Sequence, residues 1–556
     1  MNAIQTFYNK LFNLDLKSHT AFTALLVLVF LAFGLIGILN HEMWPDEIQA
    51  WLIARDSTSF SNLFKNLRYE GHPGLWHSLL YLITRFTRNP LSIQFLHLLL
   101  ATSTIYVFTR FSPFTRLQKV LFAFGYFPFY EYSIISRNYS LGVLLIFLFC
   151  IFFPRRNYGY ILLAILLALL ANTNAYSLVL SICLAMTLLV DRFLNKGLTK
   201  LFWSQKWDLI ISASIFTLGV IFSLMQIVPP SDSNYYEQEN KAILEQPSNS
   251  IINIRHLIAT VITIWRGYVP VPNFFEYHFW NTNILMEGSG VLKIIALIFS
   301  LGLLYFSIVL FSQKPVVLFL YLTGTLGLLL LTYEKYFGFS RHHGHLFIWL
   351  IACLWISSYY PKSKFLTTFQ VNKVTDHKNK FLTIILCLHV FAGIFAFSMD
   401  LFYPFSGSQE VANFIERQRL NDTVIVGSRD LDVSPLAAFL DRKIYYPESG
   451  RFGSFILWNS RYRKEVGSKT IISSINQFVK QKTNTMLLVL TKEIDVLIPN
   501  YSISAIYKSS RSIVAEQYYL YLIQRKPDGD TIKLPLQPPV HVPAADPLVH
   551  PGSRGM

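Results

Sequence analysis

Eleven long runs of apolar residues divide this chain, and they restrict its fold more than any other feature. A helix needs about 20 apolar residues to cross a bilayer, and each backbone polar group must be paired inside the hydrocarbon. Only 14% of the residues are charged, against about 25% in a soluble protein. The sequence predicts an α-helical polytopic membrane protein with eleven transmembrane helices, at 20–39, 91–109, 120–135, 140–153, 160–175, 176–190, 208–228, 289–311, 315–332, 345–360 and 381–399.

The positive charges predict the orientation of these helices. A further run, 75–86, is short and amphipathic, which favours a helix lying along the membrane surface. If it does not cross and the N-terminus is cytoplasmic, most loop Lys and Arg residues face the cytoplasm, as the positive-inside rule requires. If it crossed, the basic loops from Arg110 onward would face outward. We expect a multi-pass protein of the plasma (inner) membrane, whose net charge of +16 reflects topology and not nucleic-acid binding.

Composition divides the chain into three parts. Residues 1–403 form the predicted transmembrane domain, with outer loops at 40–90 and 229–288. Residues 404–530 alternate helical and strand patterns, which predicts a small α/β domain outside the cytoplasm. Residues 531–556 are rich in proline and lack apolar periodicity, which is typical of a disordered tail. In the C-terminal part we expect helices at 409–417, 434–440 and 471–480 and strands at 423–426, 486–490 and 518–525.

One stretch of the second outer loop, 250–265, is apolar enough to be re-entrant. Arg255 and His256 lie near its start and favour an interfacial helix instead. The aromatic stretch that follows, 265–280, suits either a belt at the membrane interface or a platform on which a sugar stacks.

Asp46 and Glu47 directly follow the first apolar run. Acidic groups at the membrane surface are costly unless they have a partner or a function. A carboxylate held at a helix end could act as a general base on an acceptor hydroxyl or amine. The alternative, with about equal weight, is a helix end followed by a solvated acidic loop.

Two further groups of residues fall on the same predicted face. Glu70 and His72 place a carboxylate and an imidazole before the short helix 75–86. The alternative is a helix start with proline near its first turn, and both interpretations can hold together. Arg137 and Tyr139 follow the third run. An Arg on the side poorer in positive charge could hold a phosphate bidentately. A structural ion pair with Glu131 is the alternative.

A last cluster, Arg341, His342, His343 and His345, precedes the tenth run. His342 and His345 are three apart, which suits one helix face, but no Cys or carboxylate completes a metal site nearby. We therefore favour anion binding over zinc and predict no metal ligands.

These four constellations, in this order, resemble the GT-C class of membrane glycosyltransferases, in particular the protein O-mannosyltransferase and lipid A aminoarabinose transferase superfamily. In that family an acidic pair or Asp opens the first outer loop, as Asp46-Glu47 does here. A Glu and a Pro-containing turn then lead into a juxtamembrane helix, as Glu70 and Pro73 do. An Arg-x-Tyr is similar to Arg137 and Tyr139, and a late Arg is similar to Arg341. Where many members carry Lys after the Glu, this chain has Gly71-His72.

The resemblance implies transfer of one hexosyl or pentosyl group from a polyprenyl-phosphate carrier to a lipid, glycan or protein acceptor on the outer face. Asp46 would be the base, with Glu47 or Glu70 assisting, and single displacement would invert the anomeric carbon. His72, Arg137, Tyr139, Arg341 and His342 would bind the substrate. Some relatives use a divalent cation and others do not, so this cofactor stays open. Membrane lipids are the other expected partners.

Other function classes fit less well. A lipid or sugar transporter would place charges near the bilayer midplane and often show inverted repeats, whereas these charges cluster at one face and no repeat is found. A ligase or polymerase of the O-antigen type needs a long basic outer loop, but 229–288 holds only Lys241, Arg255 and Arg266. A non-catalytic scaffold would tolerate substitution of Asp46 and Glu70.

Overall fold

A computed structural model describes residues 19–203, 206–233, 253–361, 369–459, 485–494 and 501–525. The chain forms two compact units. The first comprises Met1–Ser406 with two short later segments, Phe455–Arg463 and Ser512–Ala515, and the second comprises Gly407–Ser454, Lys464–Arg511 and Glu516–Met556. The predicted helix at 471–480 and the predicted tail at 531–556 lie outside the described residues.

The described part of the first unit is mainly helical. Its helices are α1 His19–Asn40, α2 Pro45–Asp56, α3 Phe60–Asn66, α4 Leu75–Thr84, α5 Leu91–Phe111, α6 Arg116–Ala123, α7 Tyr139–Phe152, α8 Ile161–Ala171, α9 Ala175–Trp203, α10 Lys206–Ile227, α11 Ile254–Tyr268, α12 Gly290–Phe311, α13 Pro315–Glu334, α14 Ser340–Ile356 and α15 Phe369–Phe402. A nine-residue π-helix, Tyr126–Ile134, precedes α7, and all nine of its residues are buried. Such helices are rare and are frequently found at functional sites.

Eight of the described helices are long and apolar enough to cross a membrane: α1, α5, α7 with the turn after it, α9, α10, α12, α13 and the last 26 residues of α15. Their outward faces are apolar as well, for example at Leu39 and Met225, which are 68% and 76% exposed. Apolar residues on all sides are what a lipid environment requires of a helix. The chain is therefore a multi-pass membrane protein.

Three of the predicted spans take a different form. The run 120–135 is split between α6 and the π-helix, 160–175 gives only the 11-residue α8, and the tenth begins earlier as α14. An 11-residue helix is about 16 Å long and cannot cross the hydrocarbon alone. Contacts nevertheless tie the ends of 116–136 to opposite ends of the bundle: Lys119 donates to the Thr109 carbonyl, and the Ser136 amide donates to Glu47. The number of crossings stays a prediction.

The two amphipathic stretches are both helices. The short run 75–86 forms α4, which buries Trp76 and Leu80 on one face. Within the stretch 250–265, α11 begins at Ile254, which is exposed, and it buries Ile264 near its end. Their positions at the membrane surface stay predictions.

The second unit contains a six-stranded sheet in the order β3-β2-β1-β4-β6-β5. The strands β1 and β4 run parallel at its centre, and β1 also pairs parallel with β2, whereas the outer pairs are antiparallel. The apolar sequence of β4 explains its central position, because a strand covered on both faces needs a continuous apolar run. The predicted α/β character is confirmed, with α16 Ser408–Arg417, β1 Val424–Ser428, α17 Asp430–Phe439, β2 Ile444–Tyr446, β3 Arg451–Gly453, β4 Thr485–Leu490, β5 Tyr501–Lys508 and β6 Tyr519–Arg525.

Candidate active site

The first turn of α2 carries the acidic pair. Pro45 stands at the first helical position, where its missing N–H is no loss, and Asp46 and Glu47 follow. Carboxylates in a first turn are stabilised by the positive end of the helix dipole. The helix start therefore holds both carboxylates in fixed positions immediately after α1.

Asp46 lies between two arginines. Its Oδ2 atom is 2.5 Å from Nη1 of Arg137 and 3.2 Å from Nη2 of Arg341. The arginine side chains are only 11% and 4% exposed, whereas that of Asp46 is 30% exposed. Three residues from distant parts of the sequence thus meet at one end of the bundle, as the sequence predicts.

Local structure fixes each arginine. Arg137 lies in the turn between the π-helix and α7, and Arg341 is the second residue of α14. The hydroxyl of Tyr132, in the π-helix, donates to the Arg341 carbonyl over 2.7 Å. The π-helix is therefore bonded to one arginine-bearing segment and leads directly into the other.

Aromatic rings surround the Arg341 guanidinium. Its carbon lies 5.2 Å from the rings of Trp44 and Trp280 and 4.8 Å from that of Phe339. The two tryptophans also contact each other edge to face, with centroids 4.7 Å apart. Cation–π contacts stabilise a guanidinium that has lost its water. Trp280, from the aromatic stretch 265–280, thus packs against this site and is only 9% exposed.

Glu47 is fully buried and uses both carboxylate oxygens internally. Its Oε2 accepts from the Trp44 amide over 3.1 Å and lies 3.0 Å from Nε2 of His41, and its Oε1 accepts from the Ser136 amide over 2.6 Å. The other ring nitrogen of His41 lies 2.7 Å from Asp400, near the end of α15. Glu47 therefore joins α1, α2, α15 and the turn that carries Arg137.

Glu70 and His72 are close enough to Asp46 and Arg137 to interact with their charges. Burial raises the pKa of Glu70 to about 8, although a 2.7 Å hydrogen bond from Gln49 opposes the shift, and nearby Asp46 raises the pKa further. Burial, with the charge of Arg137, lowers the pKa of His72 to about 4. Gly71 between them has φ of 63°, a conformation that favours glycine. Both side chains are mainly neutral at pH 7.

Tyr139 and His342 have partners within the protein. The Arg137 guanidinium carbon lies 5.9 Å from the Tyr139 ring, which is 2% exposed. His342 Nδ1 accepts from the Phe339 amide over 2.9 Å and so caps α14, while its ring stacks on Tyr176. His343 and His345 likewise lie within hydrogen-bond distance of backbone carbonyls. Of this cluster, Arg341 is the residue that contacts Asp46.

His41 and Gln49 gave no local signal in the sequence, because each has a partner far away along the chain, Asp400 for His41 and Ile456 for Gln49. The sequence suggests Glu131 as a partner of Arg137. In the structure its Oε2 accepts from the Trp280 indole over 3.1 Å and from the Tyr126 hydroxyl over 3.2 Å. A charged residue inside an apolar run was the only available hint of its position.

The site does not suit a divalent cation. The Asp46 oxygen is already engaged by two guanidinium groups, whose charges would repel a metal ion. Within the described ranges, no three His, Cys, Asp or Glu side chains group in a way that could hold a metal.

Comparison with known proteins gives distant structural similarities. No family model and no curated protein matches the sequence. The chain is similar to ArnT from Cupriavidus metallidurans bound to undecaprenyl phosphate, with a TM-score of 0.47, 10% identity and coverage of 91% of this chain and 98% of that chain. For ArnT in the apo state the TM-score is 0.45 and the identity 9%, with coverage of 89% of this chain and 97% of that chain. For the arabinofuranosyltransferase AftD from mycobacteria the TM-score is 0.36 and the identity 11%, with coverage of 91% of this chain and 40% of that chain.

With TM-scores below 0.5 and identities of 9–11%, these similarities do not identify an activity for this chain. The functional proposal therefore depends on the chemistry of the site.

Proposed function

We propose that this protein is an integral membrane glycosyltransferase that moves a sugar from a polyprenyl-phosphate donor to an acceptor on the outer face. The observation that carries the proposal is the position of Asp46 between Arg137 and Arg341 at one end of a bundle of apolar helices. Two buried guanidinium groups form a binding site for a phosphate, and the apolar helices suit its lipid tail.

The proposed step is a single displacement. The acceptor hydroxyl attacks the anomeric carbon while the bond from that carbon to the phosphate oxygen breaks. The electron pair leaves with the polyprenyl phosphate, which gains a second negative charge, and the acceptor proton passes to Asp46. Arg137 and Arg341 stabilise the charge that develops on the phosphate. Attack from the side opposite the leaving group inverts the anomeric carbon.

The neighbouring residues have supporting roles in this proposal. Glu70 is mainly protonated and His72 is mainly the neutral imidazole at pH 7, and in this proposal both orient the substrate through hydrogen bonds. Tyr139 packs beside Arg137 and His342 caps α14, so both residues help to position an arginine. Glu47 acts through its neighbours and does not contact substrate.

The position of the charged groups favours glycosyl transfer over transport. The charged groups of the site gather where α1 and α15 end, as the 2.7 Å distance between His41 and Asp400 shows. Transporters use charged groups near the bilayer midplane to bind their cargo. The arrangement therefore favours chemistry at the membrane surface. The inner-membrane location and the outward orientation of this end remain parts of the proposal.

The test is transfer activity with defined donors. Purified protein is incubated with radiolabelled polyprenyl-phosphate sugars and a membrane extract, which reports donor use and acceptor class together. We expect Asp46→Asn to lower transfer by about 10²–10⁴-fold, the usual effect of a general base. Asp56→Asn, at the other end of α2, is the matched control and should transfer normally. Activity near wild type in a folded Asp46→Asn protein would remove the base assignment.

The arginines are tested through donor use. Arg137→Ala should weaken the donor interaction by about 2–5 kcal/mol, because one member of a largely buried charge pair is lost. The measurement is the Michaelis constant for the donor at saturating acceptor. An unchanged constant would contradict phosphate binding by Arg137.

A further inference from the structure

The arginine pair is already occupied by an anion of the protein itself. A single oxygen of Asp46 contacts both guanidinium groups, and its side chain is the most exposed of the three. Carboxylates and phosphates bind guanidinium groups in the same way, through charge-assisted hydrogen bonds. A phosphate that binds Arg137 and Arg341 must therefore compete with Asp46.

We propose that Asp46 is an internal competitor of the donor phosphate, and that donor binding displaces it from the arginines and frees it to act as the base. The inference rests on the proposed function, since it assigns a phosphate to the arginine pair. It adds that the base becomes available only when the donor is in place.

The charge environment of Asp46 supports this coupling. Burial would raise the pKa of Asp46, but Arg137 and Arg341 outweigh it and hold the pKa below its ordinary value. A carboxylate held in this way is a weak base. When the phosphate takes over the arginines, the groups that lower the pKa are neutralised, while burial and the new negative charge still raise it. The carboxylate then accepts a proton more readily.

The same competition acts after the reaction. Once Asp46 has taken the acceptor proton it is neutral and no longer competes for the arginines, so the polyprenyl phosphate dianion stays bound. When Asp46 loses that proton to water, its negative charge returns. The restored carboxylate then competes with the product for Arg137 and Arg341 and favours product release.

The experiment measures binding of undecaprenyl phosphate to purified full-length protein in detergent. Tryptophan fluorescence is a suitable signal because Trp44 and Trp280 both contact Arg341. Asp46→Asn keeps the side-chain size and removes the competing charge. We expect it to bind undecaprenyl phosphate about tenfold more tightly, because the wild-type site is free for only a fraction of the time. Asp56→Asn, on the same helix, should bind like wild type.

Two further variants keep the result interpretable. Arg341→Ala should weaken binding in both the wild-type and the Asp46→Asn background, which locates the ligand at the arginine pair. Asp46→Ala replaces Asp46→Asn if the latter does not fold, as judged by thermal unfolding. Unchanged or weaker binding in a folded variant without the Asp46 charge would overturn the inference.

The binding and transfer measurements separate the two proposals. Lost transfer with unchanged binding in Asp46→Asn would retain the glycosyltransferase and remove the internal competitor. Transfer near wild type would remove Asp46 as base, whatever the binding result.

Discussion

At the residue scale, charged partners decide which of the acidic groups in the site is ionised. Asp46 and Glu70 lie close together, yet their pKa values move in opposite directions. Asp46 has two arginine partners, whereas the identified hydrogen-bond donor to Glu70 is the neutral amide of Gln49. Two carboxyl groups with separated pKa values can have different roles in one site, one ionised and one protonated.

This difference predicts how stability depends on pH. The pKa of Glu70 rises from 4.5 to about 8 on folding, so its contribution is fully present below pH 4.5 and is lost as the pH rises through about 8. We expect Glu70→Gln to remove this part of the pH dependence and to be relatively more stable than wild type at pH 9. Thermal unfolding in detergent between pH 5 and pH 9 measures it. Parallel curves for the two proteins would show that Glu70 is not buried as a neutral acid.

At the element scale, the buried cluster of His41, Glu47 and Asp400 links three helices and a turn. The two carboxylate oxygens of Glu47 have three partners, which are the amides of Trp44 and Ser136 and the ring of His41. Gln offers a single acceptor oxygen, so Glu47→Gln must point its NH₂ group at a donor. We expect a loss of about 3–5 kcal/mol in stability, as for a broken buried pair. Asp400→Asn can still accept from His41 and should lose clearly less, as measured by chemical unfolding.

His41 gives the same cluster a pH dependence. Burial would lower its pKa, but Asp400 and Glu47 raise it from 6.5 to about 10, so the imidazole is charged at pH 7. Its stabilisation is fully present below pH 6.5 and is lost as the pH rises through about 10. His41→Gln should therefore be less stable than wild type at pH 7, and the difference should narrow above pH 10. A difference that is constant with pH would contradict a charged His41.

The sequence predicted some of these elements and missed others for physical reasons. Asp46, Arg137 and Arg341 each lie beside an apolar run, and the predicted order of the runs places all three on one face; the structure brings the three side chains together. The cluster around Glu47 could not be predicted, because His41, which lies 3.0 Å from Glu47, also contacts Asp400, 359 positions further along the chain. The strand β2 was missed because it has only three residues and is held by its neighbours in the sheet.

At the scale of the whole molecule, the orientation of the protein in the membrane is predicted from the positive-inside pattern. Phe86 and Tyr158 are 90% and 83% exposed, and the predicted topology places them on opposite sides of the membrane. With the exposed Cys387 replaced, a cysteine at Phe86 should react with a membrane-impermeant thiol reagent in intact cells. A cysteine at Tyr158 should react only after the membrane is opened. The reverse pattern would invert the topology and put the site on the cytoplasmic face.

The first unit is assembled from three separate stretches of chain. Ile456, in the second stretch, exchanges two hydrogen bonds with the Gln49 side chain, both 2.9 Å long, and Gln49 in turn bonds Glu70. Asn459 likewise donates to Tyr69 and Asp232. Proteins emerge from the ribosome N-terminus first. The surroundings of Glu70 thus stay incomplete until Ile456 has been synthesised. A nascent chain that stalls between Arg341 and Ile456 carries Asp46, Arg137 and Arg341 without the finished site.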